Sequence, residues 1–338
     1  MLMIGIAGET LLAHERHWLS RPGVAGVLLF SRNYQSPAQL LALCESMREV
    51  GGDALLIAVD QEGGPVQRFR HGFTRLPALA TLGAAYDRDP AAAVQLAEEH
   101  AWVMASELRA SGVDFSFAPV LDLARGNAAI GLRAFHADPR AVAELGQAYL
   151  RGMHLAGMAA VLKHFPGHGS VAADTHKAPA IDPRHLDEIR RDDLAPFAAC
   201  IEARVEAVMM AHVTYPAVDS QPAGYSKVWV EGILRGELGF AGAVISDDIS
   251  MAAAGAAGTV AERVQTHLAA GCDLVLACFP EVVDAALAAL GPGLHAASPR
   301  LAALRGELGA SWASLIDNPQ RDRFVARITA LNPDRGTA

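Results

Sequence analysis

Eight short apolar runs, rich in β-branched residues, punctuate this 338-residue chain, and stretches with helical periodicity separate most of them. They are Leu2 to Ala7, Val24 to Phe30, Leu55 to Val59, Val113 to Ala118, Ala159 to Leu162, Ala207 to Ala211, Ala243 to Ile245 and Leu274 to Cys278. Between them, PAQLLALCESMREV, AAAVQLAEEHAWVMASELRASG and AVAELGQAYLRGMHLAG place apolar residues three and four apart, and each meets a glycine that can end a helix. Strand and helix in strict alternation predict a parallel sheet.

An open doubly wound sheet would give the same alternation, so the placement of polar residues decides between the two. Asp60 closes the third run, Asp122 lies just beyond the fourth, Lys163 and His164 close the fifth, His212 the sixth and Asp247 the seventh. Polar groups from so many strands share a pocket only if the sheet closes into a ring with its C-terminal face as the active face. The expected fold class is α/β, a (β/α)8 TIM barrel, forming one catalytic domain over residues 1–332 with a frayed tail at 333–338. The 50-residue stretch from Gln61 to Ala110 must hold a long loop before its helix, and such loops are often functional.

An apolar fraction of 51% with 19% charged residues is enough to bury a large core, which excludes disorder for the bulk of the chain. The net charge of -9 and the lack of a Lys/Arg run exclude a nucleic-acid partner. The opening MLMIGIAGETLLAHERHW has no basic segment and reaches Glu9 too early for a secretory or membrane-spanning stretch, so no membrane partner and a cytoplasmic location are expected. Cys44, Cys200, Cys272 and Cys278 form no C-x-x-C pair and are read as buried thiols.

Four segments carry chemistry. In KHFPGHGSVAADTHKAPA, Lys163 to Ala180, three histidines and an aspartate fall within 13 residues, too dense for an incidental surface loop. Lys163 and His164 are adjacent, so strand alternation separates their side chains unless the strand has already ended. Gly167 and Gly169 permit sharp turns, and Asp174 and His176, two apart, can lie on one side of an extended loop and hydrogen-bond. A carboxylate there fixes the imidazole tautomer and favours imidazolium, which suits His176 to general acid/base work. In GAVISDDISMAAA the strand ends on Asp247 and Asp248. The pair reads either as a helix cap with an acidic first turn or as a reactive carboxylate with its neighbour, and alternation turns only one toward the barrel axis. In AVDQEGGPVQRF, Asp60 is either a turn cap or a barrel-mouth carboxylate able to hydrogen-bond sugar hydroxyls, with Arg68 orienting it or touching substrate. In AAIGLRAFHADP, Arg133 taken alone would be a solvated surface residue.

Together these segments resemble the bacterial β-N-acetylglucosaminidases of glycoside hydrolase family 3, in the short single-domain cytoplasmic form that recycles peptidoglycan in Gram-negative bacteria. The likeness runs from VAGVLLFSRN to CDLVLACF and rests on KHFPGHG followed by D-[ST]-H, SDD-x-S-M at a strand end, and VDQEGG. It implies Asp247 as nucleophile and His176 as acid/base with Asp174 as its partner. It also implies that Asp60, Arg68, Arg133, Lys163 and His164 hold the terminal N-acetylglucosamine, with no metal and no cofactor. The implied reaction retains configuration: Asp247 attacks C1 while His176 protonates the leaving oxygen, and neutral His176 then activates water against the glycosyl-aspartate. The implied substrate is GlcNAc-anhydroMurNAc and its peptide derivatives, cleaved by a monomer, in a setting of cell-wall turnover that bears on cell shape, growth cycle and division. Pro65, Leu132 and Ala134 depart from the family pattern. Two rival readings are a metal-dependent barrel hydrolase using His164, His168, His176, His212 and Asp247 as ligands, and a non-catalytic sugar cage.

Overall fold

Every one of the eight apolar runs contains a strand. The computed structural model describes residues 1–171, 180–291, 298–307 and 309–331, with Ala256 and Ala257 described by their backbone alone; the tail expected at 333–338 lies outside the described residues. The barrel strands are β1 (Leu2–Gly5), β2 (Val24–Leu29), β3 (Leu56–Val59), β4 (Phe115–Ser116), β5 (Val161–Phe165), β6 (Ala207–Met210), β7 (Ala243–Asp248) and β8 (Leu274–Ala277). All pair in parallel in the order β4-β3-β2-β1-β8-β7-β6-β5. The two ends of that order meet: Val120 bridges to Lys163, Val161 N–H donates to Ala118 O at 2.9 Å, and Leu121 N–H donates to Lys163 O at 2.8 Å. The sheet is thus a closed (β/α)8 barrel, whose strands are buried on both faces as a parallel sheet under helices requires.

Helices cross from each strand to the next. They are α1 (Ala13–Leu19), α2 (Pro37–Gly51), α3 (Pro90–Ala110), α4 (Pro139–Leu155), α5 (Leu194–Glu202), a π-wound helix Val228–Glu237, then α6 (Val260–Ala270) and, after β8, α7 (Pro280–Ala289). Local chemistry sets their starts. Ser36, Asp89 and Asp138 accept N–H bonds from the first turns of α2, α3 and α4, each of which has proline at its head, where the missing N–H costs nothing. Thr259 and Glu262 form a reciprocal cap on α6, which stops at Gly271 with φ 109°.

The long stretch after Asp60 is ordered by buried amide side chains. Gln61 Nε2 donates to Phe69 O and its Oε1 accepts from Phe69 N–H, while Gln67 Nε2 donates to Phe69 O and Thr74 O. Thr74 in turn bonds to Glu107 of α3 through both its N–H and its hydroxyl. A short helix, Leu79–Tyr86, completes the segment before α3. Buried main-chain groups in a loop need partners, and the glutamines provide them. On the far side of the barrel mouth Arg32 donates to Ile6 O and to Cys278 O, both at 2.8 Å, clasping the ends of β1 and β8.

Candidate active site

The C-terminal mouth of the barrel holds a cavity of about 820 Å³, and six residues singled out in the sequence line it: Asp60, Arg68, Arg133, Lys163, His164 and Asp247. Asp174 and His176 lie outside the described residues.

One wall is built from β3, β5 and the loop after β4. Lys163 Nζ lies 2.7 Å from Asp60 Oδ1 and 2.6 Å from Glu62 Oε1. Arg133 grips the same glutamate with two parallel bonds, Nε to Oε2 and Nη2 to Oε1, both 2.8 Å. Arg68 stands farther off, with Nη2 at 3.8 Å from Asp60 Oδ2. Burial alone would push both carboxylates up; instead Arg133 and Lys163 hold Glu62 down at about 2, and Lys163 and Arg68 hold Asp60 below its ordinary range. Burial likewise works against the charge on Arg133, yet Glu62 raises its pKa. Arg133 is therefore no solvated surface arginine. Glu62, 1% exposed, is the residue that reading by strand ends passes over, and its spacing of two from Asp60 is the signal that could have found it.

Lys163 and His164 both face the cavity although they are neighbours within β5. The peptide bond between them is cis, and the pairing of β5 with β6 shifts register between Leu162 and Phe165. Regular alternation does not hold there. His164 Nδ1 lies 2.6 Å from Asp122 Oδ2, and Asp122 Oδ1 accepts from the main-chain N–H of His164 at 3.3 Å and of His168 at 2.7 Å. Burial pushes the Asp122 carboxyl up, but His164 and these bonds hold it below its ordinary value. The two loop glycines act differently: Gly167 takes φ 135°, whereas a Cβ on Gly169 would lie 1.9 Å from Leu123 O.

The opposite wall is β6 and β7. Both aspartates of the pair line the cavity. Their bonding separates them. The Asp248 carboxylate accepts from Ser250 N–H at 3.1 Å, Cys278 N–H at 3.3 Å and the Ser250 hydroxyl, so it caps the turn that follows β7. Asp247 Oδ1 accepts from Asp248 N–H at 2.8 Å. Behind them His212, 2% exposed, donates from Nε2 to Asp248 O at 3.2 Å, and its Nδ1 is buried without a hydrogen-bond partner. Burial lowers the pKa of His212 against the opposing pull of Asp247, and it lowers that of the neighbouring His267 well below normal.

Three of the five side chains of the metal-ligand reading have separate partners, His164 in Asp122, His168 Nδ1 in Asn127 and His212 in Asp248 O, while His176 lies outside the described residues. Among the described residues no three such side chains are grouped to hold an ion. Of the departures from the family pattern, Leu132 stands 62% exposed at the cavity rim and Ala134 is buried, where a polar side chain would need a partner. The four cysteines are buried thiols.

A barrel mouth with strand-end carboxylates and a charge-paired wall suits a polyhydroxylated substrate, as in a glycoside hydrolase. Residues 2–298 match the model of the glycosyl hydrolase family 3 N-terminal domain. A beta-hexosaminidase of Stenotrophomonas maltophilia (strain R551-3) is 58% identical over 317 residues, 94% of each chain, and one of Xylella fastidiosa (strain 9a5c) is 56% identical over 97% of this chain and 98% of its own. NagZ from Neisseria gonorrhoeae, solved in complex with N-trifluoroacetyl-D-glucosamine, superposes with a TM-score of 0.91 at 40% identity, covering 98% of this chain and 97% of that one. A family 3 beta-N-acetylglucosaminidase from Paenibacillus sp. str. FPU-7 gives 0.81 at 36% identity, covering all of this chain and 62% of its own. The chain belongs to glycosyl hydrolase family 3. Within that family it is a β-N-acetylhexosaminidase, acting on a small carbohydrate substrate.

Proposed function

We propose that the enzyme is a retaining exo-β-N-acetylglucosaminidase that removes terminal β-1,4-linked N-acetylglucosamine from anhydro-muropeptides through a covalent bond to Asp247. The carrying observation is the division of labour at the end of β7: Asp248 is committed to capping, while Asp247 shares a cavity with Asp60, Arg68, Arg133, Lys163 and His164. In this reading those five hold the terminal sugar. Asp247 attacks C1 as His176 protonates the leaving oxygen, and His176, oriented by Asp174, then takes a proton from the water that frees the sugar. His176 and Asp174 take these roles from the family resemblance.

The same resemblance carries the setting, peptidoglycan recycling by a cytoplasmic monomer. No helix among the described residues is long and apolar enough to cross a membrane. A 2-fluoro sugar with an activated aryl leaving group tests the covalent step, because the fluorine slows both steps while the leaving group speeds the first, so the glycosyl-enzyme accumulates. Intact-mass analysis should show one sugar added, and peptide mapping should place it on Asp247. An unmodified enzyme that is nevertheless strongly inhibited by an oxazoline analogue would mean that the substrate's own acetamido oxygen attacks C1.

A further inference from the structure

Asp122 sits just past β4, 1% exposed and outside the cavity lining, yet its carboxylate gathers three bonds from the segment that carries His164. A carboxylate that stays ionised can only accept, so the His164 nitrogen facing it must donate. The two main-chain N–H groups that donate to its Oδ1 favour that ionised state. The hydrogen therefore sits on Nδ1 of His164. The remaining nitrogen, Nε2, belongs to a ring that lines the cavity.

We propose that Asp122 is a positioning residue that locks His164 into the Nδ1–H tautomer, with Nε2 left to the sugar as an acceptor for one of its hydroxyl groups. This rests on the reading of His164 as a sugar-holding residue. It adds a polarity to that contact. On the same wall Lys163 brings only donors and Arg133 only donors, whereas Asp60 brings acceptors; His164 with its tautomer fixed is a second acceptor, this one uncharged. A sugar hydroxyl donating to Nε2 can meanwhile accept from a neighbouring cation, which a second carboxylate at that spot would disturb by drawing the cation to itself. The other oxygen of Asp122 holds the N–H of His168, so one carboxylate sets both the ring and the first turn of the loop that leads away from β5.

Asparagine separates these two duties. In Asp122→Asn the side-chain oxygen can still accept from the two main-chain N–H groups, but the amide NH₂ faces His164 Nδ1 and demands that it accept. The hydrogen then moves to Nε2, and the ring offers the sugar a donor where it should accept. Replacing a charged partner in this way is known to leave geometry intact while imposing the wrong tautomer on a histidine. Asp122→Ala removes both functions.

Two measurements decide the matter. Long-range ¹H–¹⁵N correlation spectra, with the His164 signals assigned by their loss in His164→Asn, should show Nδ1–H in the wild-type ring at neutral pH and Nε2–H in Asp122→Asn. A wild-type ring found as Nε2–H or as imidazolium overturns the proposal, whatever the enzyme cleaves. With a 4-nitrophenyl β-N-acetylglucosaminide, Asp122→Asn should lose about 10- to 100-fold in kcat/KM, the cost of one mismatched hydrogen bond in a buried site, with the thermal midpoint little changed. Among the 3-, 4- and 6-deoxy analogues, the one lacking the hydroxyl that meets Nε2 should be cleaved at nearly equal rates by the wild type and by Asp122→Asn. If all three analogues keep the full loss, or if Asp122→Asn is as unstable as Asp122→Ala, Asp122 is a structural anchor only. A failure of the aryl glycoside to be cleaved by the wild type would strike the functional reading and leave the tautomer result standing.

Discussion

The two walls of the cavity solve the burial of polar groups in opposite ways. On the β3–β5 side every charge is met by another: Glu62 by Arg133 and Lys163, Asp60 by Lys163 at hydrogen-bonding distance and by Arg68 farther off. On the β6–β7 side burial has instead driven the imidazoles of His212 and His267 toward their neutral forms, and main-chain groups satisfy Asp248. The first arrangement fixes geometry, because ionic pairs hold one another in place and resist being turned. In the second, Asp247 stands beside the His212 imidazole, whose pKa burial lowers. In the proposed reading, holding and reacting fall to different sides of one barrel.

The sharpest way to break this contrast is at β7. Asp247→Asn should lose about 10⁴-fold or more in kcat with KM little changed, as expected when a group that acts only in the chemical step is removed. Asp248→Asn should keep measurable activity and a folded barrel, since the amide oxygen can still accept from Ser250 and Cys278. Steady-state kinetics on the two variants check this, and equal losses would mean that the division between capping and reacting is misdrawn.

Glu62→Gln probes the holding wall and should weigh mainly on binding. Arg133 and Lys163 would keep their charges and lose their shared anion, so KM should rise by roughly 10²-fold and the fold should lose about 3 to 5 kcal/mol, the usual consequence of removing one partner of a buried pair. The pH dependence carries its own sign. The Glu62 carboxyl titrates near about 2 in the folded protein against 4.5 when unperturbed, so its contribution is complete above about pH 4.5 and fades as the pH falls toward 2. The stability gap between wild type and Glu62→Gln, read from urea unfolding at a series of pH values, should therefore be widest near neutrality and narrow in acid. A kcat effect with unchanged KM would place Glu62 on the reacting side.

The smallest effect is expected at His212. With its pKa lowered by burial and its Nε2 hydrogen held by Asp248 O, His212 is not a proton donor near neutrality, so His212→Asn should cost less than about tenfold in kcat and leave both limbs of the pH–rate profile where they were. Its stability signature runs the other way in origin from that of Glu62 but in the same direction with pH. The unfolded chain takes up the proton first, so the wild type loses stability as the pH drops below the ordinary histidine value of 6.5, and His212→Asn should lose less over that interval. A displaced limb in the profile would make His212 a participant in proton transfer.

Much of this was legible in the chain because strand ends are local events. The apolar runs marked the strands, and a polar residue at the close of a run marked the mouth, which placed Asp60, Lys163, His164 and Asp247 without any knowledge of their partners. What could not be read locally was pairing over distance. Arg133 looks like any exposed arginine until Glu62, 71 residues earlier, is brought to it, and Glu62 looks like part of a turn until Arg133 and Lys163 arrive. Asp122 was visible as a strand-end carboxylate, yet its partners lie where the pairing of β5 shifts register between Leu162 and Phe165, which a pattern of alternation has no means to express. The difference between Asp247 and Asp248 likewise depends on an N–H donor at Cys278, beyond the following strand, which bonds to Asp248.

The barrel is closed partly by β1 lying against β8, with Leu2 paired to Val275. On a ribosome the first strand made must wait for the last. At roughly 5–20 residues per second, the open edge of β1 goes without its second neighbour for on the order of tens of seconds. Throughout that interval the growing chain carries an apolar strand with one row of main-chain donors and acceptors exposed, the usual template for mispairing. The mouth of the barrel is also unfinished until then, because Arg32 has no Cys278 carbonyl to clasp and Asp248 no Cys278 N–H to cap. A nascent chain halted short of β8 therefore already holds the residues of the β3–β5 wall but not the support of the β7 turn: the last strand completes both the edge of the sheet and the turn that seats Asp248.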